Sequence, residues 1–113
     1  MNIVKIIVNV VSIPENSLPN NFRPCPRINI FKHPYDPLDI TRTGVYNQTF
    51  ILEKGERCGV DVFHWQNQKS EIMSQNTDSK ILAEIVGQNK DQIKKTINIT
   101  KAGEYNISIE INK

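Results

Sequence analysis

The sequence predicts an all-β fold, an antiparallel β-sandwich of about seven strands, immunoglobulin-like or jelly-roll in type. Isoleucine and valine arrive in short bursts that read as strands, as in "EYNISIEIN" over 104–112. Short Gly-containing loops separate several of these bursts. In the last burst Tyr105, Ile107, Ile109 and Ile111 alternate with Asn106, Ser108, Glu110 and Asn112, giving one core face and one water face.

The opening "MNIVKIIVNVVSIP" reads as the first strand. Its β-branched content favours extended backbone, and at about ten apolar residues it is too short to span a bilayer. Lys5 and Asn9 interrupt the apolar run and no small-residue cleavage site follows, so no signal peptide is expected. Val4, Ile6, Val8 and Val10 share one face, while Ile7, Val11 and Ile13 lie opposite with Lys5 and Asn9. A strand apolar on both sides must be covered on both.

All six prolines fall between Pro14 and Pro37 and all five glycines from Gly44 onward. Residues 14–43 are therefore expected to be a proline-stiffened connection within one domain spanning 1–113. Inside it, "RINIF" (27–31) reads as a short edge strand, and "HPYDPLD" (33–39) as a further connection. "GVYNQTFILE" and "RCGVDVFHWQ" flank Lys54-Gly55, and "KKTINIT" and "EYNISIEIN" flank Lys101-Ala102-Gly103; each pair is expected to form a hairpin. No internal repeat is expected beyond this shared turn chemistry. "DSKILAEIVGQ" (78–88) fits either a strand or a helix capped by Asp78 and ended by Gly87.

The phrases "TFILEKGERCGVDVF" and "INITKAGEYNISIEI" cover Thr49–Phe63 and Ile97–Ile111. They resemble the strand-turn-strand wording of bacterial jelly-roll accessory modules of the pre-peptidase C-terminal type, in which a Gly-x-Tyr phrase opens the final strand, as Gly103-Glu104-Tyr105 does here. The resemblance implies a non-catalytic accessory role and identifies no ligand.

The bulk numbers restrict the function classes. A formal net charge of +2, with Lys5, Arg23, Arg27, Lys32 and Arg42 scattered rather than clustered, supplies no stripe able to displace phosphate counterions. No nucleic-acid partner is expected. The two cysteines, Cys25 and Cys58, stand outside any Cys-x-x-Cys unit and fit either one disulfide or two buried thiols.

Cys25, His33, Cys58 and His64 match the ligand count of a structural zinc site but not its short spacings, so neither metal nor cofactor is expected. An enzyme using Cys58 with a histidine is the alternative from another class; it needs a base within hydrogen-bond reach. His64 lies about 20 Å along the same strand, and His33 would have to be brought in by folding. Glu53, Glu56 and Asp61 flank Lys54 and Arg57 as at a solvated turn, and no phosphate-binding glycine loop or calcium loop is present. Asn47, Asn98 and Asn106 each begin an Asn-x-Ser/Thr triplet, relevant only in a eukaryotic secretory route.

The candidate site lies on "RCGVDVFHWQ". Cys58, Val60, Val62 and His64 face one way, and Asp61, Phe63 and Trp65 the other. Either the proline-rich segment covers the second face, or Asp61, Phe63 and Trp65, with Tyr46 and Tyr35 as companions, form an exposed patch. The expected function is a non-enzymatic binding or structural module acting through protein contacts or self-association, with carbohydrate binding as the alternative within that class.

Overall fold

The structure, a computed structural model, describes residues 2–17, 24–32, 35–75, 80–86 and 92–113. Its elements are strands: β1 (Asn2–Ser12), β2 (Arg27–Lys32), β3 (Tyr35–Ile40), β4 (Gly44–Leu52), β5 (Cys58–Trp65), β6 (Lys69–Ser74), β7 (Lys80–Val86), β8 (Gln92–Ile99) and β9 (Gly103–Asn112). They form two facing sheets, β4-β1-β9-β6 and β3-β2-β5-β8-β7. The fold is the expected β-sandwich. No described helix is long and apolar enough to cross a membrane.

Alternation in sequence becomes the core directly. Val4, Ile6, Val8 and Val10 of β1 and Tyr105, Ile107, Ile109 and Ile111 of β9 point inward against Ile28, Ile30, Val60, Val62, Ile97 and Ile99 of the other sheet. Each buried isoleucine contributes about 1.5–3 kcal/mol before entropy is subtracted. The ambiguous 78–88 segment yields a strand over Lys80–Val86, paired with β8; Asp78 and Gly87 lie outside the described residues.

Several expectations are corrected. Nine strands are described rather than about seven, because "HPYDPLD" contributes β3 and "KSEIMS" contributes β6. The 14–43 stretch is thus not only a connection. β2 is not an edge: it pairs with β3 on one side and β5 on the other. The four-stranded sheet is mixed rather than antiparallel, since β1 and β9 run parallel with Lys5 beside Glu104 and Asn9 beside Ser108.

Neither expected hairpin forms. β4 belongs to one sheet and β5 to the other, and the same holds for β8 and β9, so both Gly-containing loops carry the chain across the sandwich. Alternation fixes which side chains point inward, but it does not say whether the next strand along the chain joins the same sheet or the facing one. At the first crossing, Lys32 Nζ donates to the Ile51 carbonyl (2.5 Å) and pairs with Glu56 (3.5 Å), tying the two sheets together.

The structure also exposes a repeat. Ile40-Thr41-Arg42-Thr43-Gly44-Val45-Tyr46-Asn47 and Ile99-Thr100-Lys101-Ala102-Gly103-Glu104-Tyr105-Asn106 share Ile-Thr, a cation, and then Gly-x-Tyr-Asn. Both phrases take the chain from the five-stranded sheet to the four-stranded one, delivering β4 and β9 to the two sides of β1. Gly44 and Gly103 adopt φ values of 147° and 148°, a region disfavoured for side chains. The Tyr46 hydroxyl donates to the Arg42 carbonyl and that of Tyr105 to the Lys101 carbonyl, both at 2.8 Å.

Candidate functional site

The sandwich has two outer faces, and they differ. That of the five-stranded sheet is closed around the predicted patch. Arg27, Asn29 and Phe31 of β2 are buried there, and Arg27 Cζ lies 3.8 Å from the centre of the Phe63 ring. With its amide oriented to suit its neighbours, Asn29 accepts from Arg27 Nη1 (2.9 Å) and donates to Asp39. Asp61 accepts from the Thr96 hydroxyl (2.7 Å) and lies 3.9 Å from Lys94 Nζ.

Of the predicted binding residues, Asp61, Phe63, Trp65 and Tyr46 are therefore not assembled into one exposed patch. Trp65 is only 7% exposed, and its indole N–H donates to the Cys25 carbonyl (3.0 Å). The same carbonyl accepts from the Ser17 N–H (2.8 Å), so the proline-rich segment does fold over the tryptophan. Phe63 is half-buried beneath Arg27. Tyr46 stands in the other sheet, packed against the core, and serves the chain crossing. Tyr35 contributes backbone pairing with Lys32, and its side chain lies outside the described residues.

Cysteine chemistry meets a physical obstacle. Cys25 and Cys58 are both buried, and they remain thiols rather than forming a disulfide. Burial pushes the Cys58 thiol up to about 11, with the Lys32 charge opposing the shift; burial also raises Cys25, opposed by Arg27. A nucleophile needs the reverse shift. His33 lies outside the described residues, and among those described no group of three or more His, Cys, Asp or Glu side chains could hold a metal.

His64 is held inside the sandwich. Its Nδ1 lies 2.8 Å from the Trp65 carbonyl, which only accepts, so the ring proton sits on Nδ1. Nε2 then accepts from the Ser70 hydroxyl (3.2 Å), whose oxygen accepts from Lys95 Nζ (2.8 Å). The cluster joins β5, β6 and β8 and satisfies polar groups within the sandwich.

The open surface is the outer face of the four-stranded sheet. Ile3 (46% exposed) and Val11 (49%) on β1, Val45 (63%) and Ile51 (53%) on β4, and Met73 (71%) on β6 all stand on it. Ile3 and Ile51 are direct cross-strand partners. Between the aliphatic groups run Lys5, Asn9, Asn106 and Ser108, and a shallow depression of about 480 Å³ opens among Ile7, Asn9, Met73, Asn106 and Ser108. At the acidic corner Glu71 and Glu110 are direct cross-strand partners.

The sequence reveals one strand of this face, because Ile7 and Val11 lie opposite the core positions of β1. It does not single out Val45, Ile51 or Met73. The signal that could have found them is again alternation, since Val45 and Ile51 fall on the non-core parity of β4. What alternation lacks is the knowledge that β1, β4 and β6 share a sheet.

A second concavity, of about 950 Å³, lies at one end of the sandwich, bounded by Glu15, Asn16 and Ser17, by Trp65 to Gln68, and by Lys113. Compared with known protein families, with characterised proteins and with solved structures, the chain matches none of them.

Proposed function

We propose that this protein is a non-enzymatic contact module, which attaches to protein through the outer face of its four-stranded sheet. One observation carries the reading: five aliphatic side chains, 46–71% exposed, are gathered on one face of one sheet, while the described residues on the outer face of the other sheet include no exposed large aliphatic side chain. Scattered surface aliphatics need no explanation, but a concentration on one regular face favours association. The accessory role implied by the resemblance of Thr49–Phe63 and Ile97–Ile111 is of the same kind.

Charge substitutions on this face test the reading. Ile51→Glu and Met73→Glu are expected to weaken association in sedimentation velocity or capture assays, with the fold unchanged by circular dichroism. Lys94→Glu, whose side chain is 41% exposed on the outer face of the other sheet, is the control. Equal behaviour of all three variants rejects the face as a contact surface.

A second reading rests on the end groove. Asn16, Gln66 and Asn67 are carboxamides lining it, each with donors and an acceptor suited to sugar hydroxyls, and Trp65 lines the same groove. Titration with oligosaccharides, followed by tryptophan fluorescence, tests it; a spectrum unmoved by every glycan removes it.

A further inference from the structure

The open face is nearly self-complementary, and the pattern follows from its register. Across the sheet the strands run β4, β1, β9, β6. One row reads Val45, Asn9, Ser108, Met73, because Asn9 pairs with Val45 and Ser108, and Ser108 with Met73. Another reads Thr49, Lys5, Glu104. All seven side chains point outward.

We propose that the occupant of this face is a second copy of the chain, related by a two-fold axis that lies in the interface along the seam between β1 and β9. This rests on the contact-module reading above and names its partner. Such an axis preserves each row and reverses its order. It therefore lays β1 over β9 of the second copy, and β4 over β6.

The consequences can be read residue by residue. Lys5 falls opposite Glu104 of the second copy, and Glu104 opposite its Lys5, so two ion pairs form about one axis. Val45 falls opposite Met73, again twice, bringing together the two most exposed large aliphatic side chains among the described residues. Asn9 meets Ser108, an amide against a hydroxyl that can both donate and accept. Farther along, Glu71 comes under the Arg42–Thr43 turn of the second copy. Glu71 and Glu110 are like charges set directly opposite each other, an arrangement that costs stability in an isolated sheet and is relieved by a cation from outside.

Other axes lose this match. A two-fold across the strands would set β1 on β1 and β9 on β9, bringing Glu104 toward Glu110 of the second copy, carboxylate against carboxylate. Facing sheets pack at about 30°, so the rows agree best near the axis, where Lys5, Glu104, Asn9 and Ser108 lie. A closed two-fold contact of this kind is isologous and stops at the dimer.

The test is charge exchange on the full chain, read by sedimentation velocity and by native mass measurement on two differently tagged preparations. Wild type is expected to be a concentration-dependent dimer. Lys5→Glu and Glu104→Lys are each expected to weaken it by about tenfold. Combining both substitutions in one chain restores the dimer, and an equal mixture of the two single variants forms mixed dimers in preference to either homodimer. Because Lys5 and Glu104 are also neighbours within one sheet, circular dichroism checks that each single variant is folded, and the preference for mixed dimers separates the contact between copies from the pairing within a chain.

A double variant as weak as the singles, with mixing at random, overturns the two-fold register. If Ile51→Glu or Met73→Glu still disrupts the dimer in that case, the face survives as the contact surface. A wild type monomeric at its highest soluble concentration overturns the dimer itself, and leaves the contact-module reading to capture of a different protein by the same face.

Discussion

Tyr46 and Tyr105 hold equivalent posts at two chain crossings, each with its hydroxyl 2.8 Å from the carbonyl four residues upstream. They differ in surroundings. Tyr105 is wholly buried in the central strand β9, whereas Tyr46 is half-buried on the edge strand β4 and its hydroxyl bond is exposed. The Tyr105 bond is part-buried, and a bond shielded from solvent is replaced by water less readily than an exposed one. Tyr105→Phe is expected to cost about 1–2 kcal/mol and Tyr46→Phe about 0.5 kcal/mol or less. Urea unfolding of the two variants measures the difference; equal losses would mean that burial does not separate the two corners.

The glycines preceding these tyrosines should respond alike. With φ of 147° and 148°, Gly44→Ala and Gly103→Ala are each expected to cost about 1–3 kcal/mol through backbone strain. At Gly44 a Cβ would meet only the Tyr46 ring, at an ordinary 3.4 Å, so the backbone rather than a clash sets the cost. Thermal unfolding compares them, and an alanine tolerated at either position contradicts the assigned conformation.

Stability should fall in alkali through Cys58. Its folded value of about 11 exceeds the ordinary 9.0, so folding favours the neutral thiol. That contribution is fully present below about pH 9, where the unfolded thiol is also neutral, and is lost as the pH rises through about 11. Over this window the advantage of wild type over Cys58→Ala should shrink by about 3 kcal/mol. A difference independent of pH would show that the thiol ionises in the fold as readily as in the unfolded chain. Both cysteines should also resist thiol reagents at about pH 8 until the protein is unfolded.

Trp65 should report an apolar setting in the isolated chain, with emission shifted to the blue. Trp65→Phe removes a donor from the Cys25 carbonyl and leaves a smaller side chain, at an expected cost of about 1–3 kcal/mol. Emission at the wavelength of a solvated indole would return Trp65 to the surface and reinstate the patch predicted from sequence.

Much of the scaffold is legible in the sequence because side-chain parity along a strand is a local property. Alternation identifies the inward faces of β1, β5 and β9 residue by residue, and chain punctuation locates most of the loops. Parity also places Ile7 and Val11 outside the core. It cannot place Trp65, whose burial depends on a carbonyl forty positions earlier in the chain.

What one strand faces across a sheet or across the core is a long-range fact, and only the tertiary structure supplies it. Two loops that look like hairpin turns are crossings, because burying an inward-pointing set needs an apolar surface opposite and does not specify whether the covalent neighbour provides it. The open face has the same origin. Val45, Lys5, Glu104 and Met73 are unremarkable where they stand in the chain, and become one surface only because β4, β1, β9 and β6 hydrogen-bond in that order.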